Sequence, residues 1–554
     1  MARAVLCLVA LGCSSIGWAQ PPARDTSAAA VGSASIRGRV TDAAGHPLPR
    51  VEVRAGPAPA DIEGRAVLTD VDGRYEIVNL PAGTYTIVAA KANYVRTSWG
   101  EPRPEGPGKR IPLADGQTLA NVDLRMQRTG AITGKIVDEF GDPVTGVLVQ
   151  AMRYQYVQGS RRLMPSGRGG STNDIGEFRI FGLTPGQYYV SATLRNFSVV
   201  NTDTTDHSGY APTFFPGTGN QAEAQRMAIA PGQTITGINL TLLPIQTATV
   251  SGIVIDLDGQ RLLNGMVRIG SKTPTGGFGF VGSTLREGRF AVNGLTPGDY
   301  TITVAKAGGS ESATADVTVS GSDISGLQIQ LAPPSTIRGR IVFTPSANGS
   351  DPPKPTAYDL GAVREWALGQ QGRFPAKIKD DGTFEISLPA NHVQLRAAPV
   401  GGGAGNNGPP PWRIGRVIFA GTDVGDSGID VGANATIENV VVEMTNRVSE
   451  VNGTVTDTEG KIVRDAVVIV FAQDPTRWTV QTRWLSTTRP GPDDTFRARL
   501  LPGDYYAVAM TDVENGAWTD ADFLALAREH ATKFSVADGE KKTLDLAVSP
   551  TPVY

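Results

Sequence analysis

Four histidines, His46, His207, His392 and His530, are the whole imidazole complement of this chain. None has a His or Glu partner at zinc-peptidase spacing, and no shared motif gathers two others around it. No Gly-x-Ser-x-Gly elbow occurs, and no phosphate-cradling glycine loop lies between a strand and a helix. The expectation is therefore no catalytic residue, no metal and no cofactor. Asp70-Val71-Asp72-Gly73 and Asp256-Leu257-Asp258-Gly259 could each begin a calcium loop. Such a loop needs further oxygen ligands ending in a bidentate acid, yet the next residues already alternate as a strand. A glycine-ended turn explains the same letters.

Aromatic side chains are the remaining candidates for ligand binding: Tyr94, Trp99, Tyr210, Phe214, Phe215, Trp412, Trp478, Trp484 and Trp518. If exposed, their flat faces would suit the CH groups of a glycan. If not, they plug domain junctions or cap the open ends of sandwiches. Tyr210 to Phe215 is expected in a long loop.

The elements that must hold these residues recur down the chain. Gly38-Arg39-Val40-Thr41-Asp42 with Gly45 returns at Gly134 to Asp138 with Gly141, Gly252 to Asp256 with Gly259, and Gly453 to Asp457 with Gly460. The Asp can bond backbone amides of a turn and the second Gly supplies its positive φ. A degenerate opening is Ile337 to Val342. The second half of each unit reads Gly73-Arg74-Tyr75-Glu76-Ile77, then Leu80-Pro81-Ala82-Gly83-Thr84-Tyr85, with copies around Phe178 and Tyr188, Phe290 and Tyr300, Phe384, and Phe496 and Tyr505. Tyr75 and Ile77 face one side and Arg74 and Glu76 the other, the alternation of a strand with one wet face.

An alternating strand closes each unit: Val122 to Met126, Ile238 to Leu242, Leu327 to Leu331, Val440 to Met444 and Leu544 to Val548. This divides the chain into a leader at 1–19, a tether at 20–33, and β-domains at 34–127, 128–246, 247–333, 334–446 and 447–554. The spacing implies a tandem array of domains rather than a solenoid of short repeats. Short linkers predict a semi-rigid rod of ~170 Å from five domains of ~35 Å each. The clearest helix follows Thr519-Asp520-Ala521-Asp522, a capping-box pattern, with Phe523, Leu526, Ala527, His530, Ala531 and Phe534 as its apolar spacing.

Composition narrows the classes. Lys and Arg total 51 against 54 Asp and Glu, so the chain carries no electrostatic footprint for nucleic acid. Residues 1–19 have Arg3, a short apolar core, and Gly17-Trp18-Ala19 before Gln20, a secretory leader cleaved near Ala19. Both cysteines, Cys7 and Cys13, lie in it, so the mature chain has no thiol and no disulfide. No apolar run is long enough for a transmembrane span.

The paired motifs G-x-V-x-D-x-x-G and G-x-[FY]-x-[IV]-x-x-L-x-P-G-x-Y resemble the carboxypeptidase regulatory-like domain, a prealbumin-type seven-stranded β-sandwich. The resemblance covers the first, second, third and fifth units, and the fourth in part. Tyr210 to Thr218 and Trp412 through Val424 resemble segments of tandem-repeat exported bacterial proteins. Leu-x-Pro-Gly-x-Tyr also resembles the tyrosine corner of fibronectin type III domains, but the tryptophans keep no fixed place in the units. Isopeptide cross-links of a related sandwich family need a Lys where Thr41, Val137, Ile255 and Thr456 stand. The resemblance implies an all-β array of about five Ig-like or prealbumin-like sandwiches with one short helix near the C-terminus. It implies no peptidase activity, since this domain is the non-catalytic appendage of carboxypeptidases. The expected function is a secreted, periplasmic or cell-surface scaffold or binding rod, with envelope proteins or extracellular polysaccharide as partners. A carbohydrate-binding module array and a cryptic hydrolase are the alternatives.

Overall fold

The computed structural model of the chain describes residues 32–58, 64–101, 103–106, 108–157, 159–194, 207–272, 280–308, 310–345, 351–364, 372–400, 412–491 and 493–551. The leader, with both cysteines, and all but the last two residues of the tether lie outside them. No helix among the described residues is long and apolar enough to cross a membrane.

The third unit shows the plan most simply. One sheet sets Arg289–Leu295 beside Ala248–Ile255 and, on its other side, Ile324–Gln330. The facing sheet runs Phe280–Thr284, Gly265–Ser271, Gly298–Lys306 and Ser312–Val319. These seven strands enclose a core that includes Val250, Val254, Val267, Phe290, Tyr300 and Val304. The first and last strands pair in parallel, and the same pairing recurs in the other units. The fourth unit, whose motif decays, keeps the sandwich and adds Lys377–Ile378, Arg413–Phe419 and Thr422–Asp423 to its first sheet.

The repeated letters have separate structural jobs. Asp42 Oδ1 accepts from the Ala44 and His46 amides at 2.9 Å each, and Asp138, Asp256 and Asp457 do the same two and four residues on. Gly45, Gly141, Gly259 and Gly460 follow at φ 90°, 88°, 76° and 81°, the left-handed corner those turns require.

The first glycine of the motif works differently. A Cβ on Gly38 would sit 2.1 Å from the carbonyl oxygen of Val122, just before the closing strand Leu124–Met126. At Gly134, Gly252, Gly339 and Gly453 the same approach is 1.8, 2.2, 2.0 and 1.9 Å. Each of these glycines stands directly opposite an aromatic residue: Gly38 opposite Tyr75, Gly134 opposite Phe178, Gly252 opposite Phe290, Gly339 opposite Phe384, and Gly453 opposite Phe496. The bare backbone thus admits a carbonyl, and a cross-strand ring supplies the apolar surface that the glycine lacks. In the first unit Tyr75 also donates its hydroxyl to that Val122 oxygen at 2.6 Å.

The second motif forms a tyrosine corner in four of the five sandwiches. Tyr85, Tyr188, Tyr300 and Tyr505 donate to the carbonyls of Pro81, Thr184, Thr296 and Leu501 at 2.8, 2.7, 2.8 and 2.8 Å.

The helix is shorter than the spacing predicts, spanning Ala521–Ala527. Its cap is Asp520, whose side chain accepts from the Asp522 amide at 2.8 Å, rather than Thr519. A short 3-10 turn takes Arg528–His530, and Phe534 belongs to the strand Thr532–Val536. The apolar period spans two elements with different neighbours: Phe523, Leu524 and Ala527 pack in one cluster, while Phe534 packs with Tyr505 in the sandwich core. The helix buries Phe523, Leu524 and Ala527 against Val467, Ile469 and Phe471, so the strand Val467–Ala472 is buried on both faces.

Candidate functional site

Asp70 is a turn residue. Its Oδ1 accepts from the Asp72 and Arg74 amides at 2.9 and 2.8 Å, and Gly73 closes the turn onto the Asp70 carbonyl at 3.1 Å. Among the described residues no group of three or more His, Cys, Asp or Glu could hold a metal ion.

The nine aromatics do not form an exposed row. None is exposed, and Phe214 and Trp412 are buried at 1% and 2%. Tyr210 to Phe215 is not a long loop either: Ser208–Ala211 and Thr213–Phe214 are strands, in two different sheets. Large rings remove much apolar surface from water, and each finds a neighbour. Trp412 meets Phe343 edge-on at 5.2 Å inside the fourth core. Trp478 donates its indole N–H to the Ala472 carbonyl at 2.8 Å and lies edge-on to Phe471 at 5.6 Å. Trp518 packs on the helix cluster of the fifth unit, and Phe215 on the second core. Tyr210 donates to Glu139 at 2.9 Å; burial and that bond push its hydroxyl up to about 12. Tyr94 and Trp99 pack on the first core, Tyr94 beneath the Arg128 guanidinium at 5.3 Å.

Trp99 also lines a cleft of about 220 Å³ with Glu101, Arg103, Asp123 and Arg125. Three of those charges are already engaged. Arg103 donates to the Val513 carbonyl, Asp123 accepts from the Arg39 amide, and Arg125 donates to the Ala43 carbonyl. Glu101 accepts from the Ser98 amide at 2.9 Å. Burial pushes it up to about 7 against that bond, with Glu105 adding to the rise.

The strongest polar constellation lies where two units meet. Arg483 of the fifth unit and Asp426 of the fourth, 12% and 14% exposed, pair at 2.8 Å, and Asp423 adds a second contact to Arg483 at 3.0 Å. The Arg483 amide and the Trp484 indole N–H, each at 3.0 Å, also donate to the Asp426 carboxylate. Burial alone would push Asp426 up; the Arg483 guanidinium and these donors more than offset it and hold the carboxyl below its ordinary value. Arg477 lies over the Trp484 ring at 3.8 Å, and Arg396 donates to the Gln481 carbonyl at 2.7 Å.

A second junction corrects the rod. The loop after Trp99 in the first unit touches both the second and the fifth units. Glu105 accepts from Thr184 at 2.8 Å and lies 3.7 Å from Arg153, while Arg103 reaches Asp512 at 3.5 Å and the neighbouring Val513 carbonyl. Tyr156 of the second unit meets Phe523 of the fifth edge-on at 6.5 Å. The chain therefore folds back so that its last unit packs on its first two. Short linkers constrain neighbours, but they do not stop a five-unit chain from turning. Of the junction residues, Trp484 was already a candidate from the sequence, with the plugging of domain junctions as one of its two readings, whereas Arg483, Asp426, Arg103, Glu105 and Tyr156 were not. The local signal for one was there in two Arg-Trp pairs, Arg477-Trp478 and Arg483-Trp484.

The carboxypeptidase regulatory-like domain matches residues 35–127 and 249–332. Both stretches are similar to that domain. They are the first and third units; the other units share their pairing scheme. No curated protein matches the chain. Among solved structures, a streptococcal ancillary pilin is similar at 13% identity and a TM-score of 0.20, covering 54% of this chain and 99% of its own. The minor pilin of Streptococcus agalactiae is similar at 14% identity and a TM-score of 0.21, covering 38% and 97%. The major pilin subunit of Bacillus cereus is similar at 8% identity and a TM-score of 0.15, covering 76% and 99%.

Proposed function

We propose that this chain is a non-catalytic scaffold outside the cytoplasm, exported by the leader at residues 1–19 and held as one body by its junctions. The observation that carries this reading is where the chemistry-bearing side chains are used. Arg483, Asp426 and Trp484 are spent on one another between units, and Trp412 and Phe214 fill cores. A scaffold needs defined spacing between its surfaces, and buried, geometrically demanding ion pairs fix relative orientation. Its partners are envelope proteins or extracellular polysaccharide.

Fractionation of the source cells, with antibody against the chain, tests the location. Recovery outside the cytoplasm, together with no turnover of ester, glycoside or peptide substrates by the purified chain, is the expected result. Cytoplasmic recovery, or hydrolysis that survives repurification, overturns it.

A further inference from the structure

One sheet edge differs from copy to copy. In each unit the second sheet ends on the strand that pairs with the tyrosine-corner strand or, in the fourth unit, with Asn391–Pro399. In the first unit that edge is split into Thr97–Ser98 and Ile111–Leu113, and in the second into Thr213–Phe214 and Met227–Ile229. The fourth unit has only Ile429–Val431 there and the fifth Thr532–Val536, with Lys533 on it. Short, broken or lysine-bearing edges are how sheets avoid pairing with other chains.

The third unit has no such device. Ser312–Val319 runs eight residues without a break and pairs along its whole length with Gly298 to Ala305. It contains no Pro, Lys or Arg. Ala313, Ala315 and Val317 pack on the core, Val319 is buried in it, and Thr314, Asp316 and Thr318 are exposed. Lys306 N–H donates to the Glu311 carbonyl, which places the odd-numbered residues in the hydrogen-bonded pairs with the neighbouring strand. The N–H and C=O groups of Thr314, Asp316 and Thr318 therefore point away from the sheet. Those of Ser312 are taken by Ala332 at 3.2 and 3.1 Å.

We propose that two copies of this chain pair antiparallel along residues 313–317 of this strand, with the twofold axis at Ala315. The sequence of the strand is complementary to itself in that register. Thr314 and Asp316 of one copy then face Asp316 and Thr314 of the other, so a hydroxyl meets each carboxylate and no two carboxylates are opposed. Ala313 faces Val317 on the core side. An axis at Asp316 would oppose like charges, and an axis at Val317 would run past the end of the strand. Thr314 and Asp316 supply four intermolecular N–H···O=C bonds, and the two four-stranded sheets become one. The edge buries less surface than a standard interface, so the dimer is weak, with a Kd on the order of 10 µM. The pairing does not depend on the location or activity of the protein.

Sedimentation velocity on the full chain from roughly 1 to 100 µM tests this, because that range brackets such a Kd. Thr314→Pro removes only an outward N–H, which an edge strand tolerates, and leaves a monomer with unchanged circular dichroism and melting temperature. Thr314→Lys sets opposite charges across the axis and tightens the dimer roughly two- to fivefold for each of its two pairs, while Thr314→Asp loosens it by a similar factor. A chain that stays monomeric throughout, or a dimer indifferent to all three substitutions, overturns the proposal.

Discussion

Arg483 Nη2 and Asp426 Oδ2 lie 2.8 Å apart in a junction where the Trp484 indole N–H holds the same carboxylate. Removing Arg483 leaves Asp426 buried against an indole with no cation. Arg483→Ala should therefore cost about 3 kcal/mol at the contact between the fourth and fifth units. The loss should appear as a separate, earlier melting step in calorimetry, while Arg54→Ala, which breaks an exposed pair with Glu52, moves nothing measurable.

The two glycines of the repeated motif predict substitutions of different size. Gly453→Ala drives a methyl group to 1.9 Å from the Leu544 carbonyl oxygen and should destabilise the fifth unit by ~3 kcal/mol or more. Gly460→Ala meets no atom within 4 Å and strains only a φ of 81°, which costs ~1–2 kcal/mol. Denaturant titration of the two variants should rank them in that order.

Glu101 gives the first unit a pH dependence. Its carboxyl is raised to about 7 in the folded chain by burial, with Glu105 beside it, against an ordinary value of 4.5. The folded state therefore holds a proton that the unfolded state releases between those values. Stability is greatest below the lower value and falls as pH rises through the upper one. Because the group is only half-buried, the change from pH ~5 to ~8 is discounted to roughly 1 kcal/mol. Glu101→Gln should flatten the profile, as read by thermal melts across that range.

How far the sequence reached follows from the range of each interaction. The Asp42 turn was legible because its donors, Ala44 and His46, are two and four residues away. The sandwich was legible because a local motif repeats it. The role of Gly38 was not, since what excludes a side chain there is the carbonyl of Val122, more than eighty residues along the chain. The aromatics were legible as residues with surface to bury, but their partners were not. Trp484 is fixed by Asp426 of another unit, and no periodicity within either unit encodes that contact. The fold-back escaped for the same reason: Arg103 and Asp512 sit in loops that differ from copy to copy.

Small-angle X-ray scattering of the full chain tests the closed arrangement most directly. The contacts of the fifth unit with the first two predict a maximum dimension well short of the ~170 Å of five domains in line. Arg103→Ala combined with Tyr156→Ala should lengthen the particle by weakening that junction. A wild-type particle near the full rod length, unchanged by those substitutions, would contradict the account.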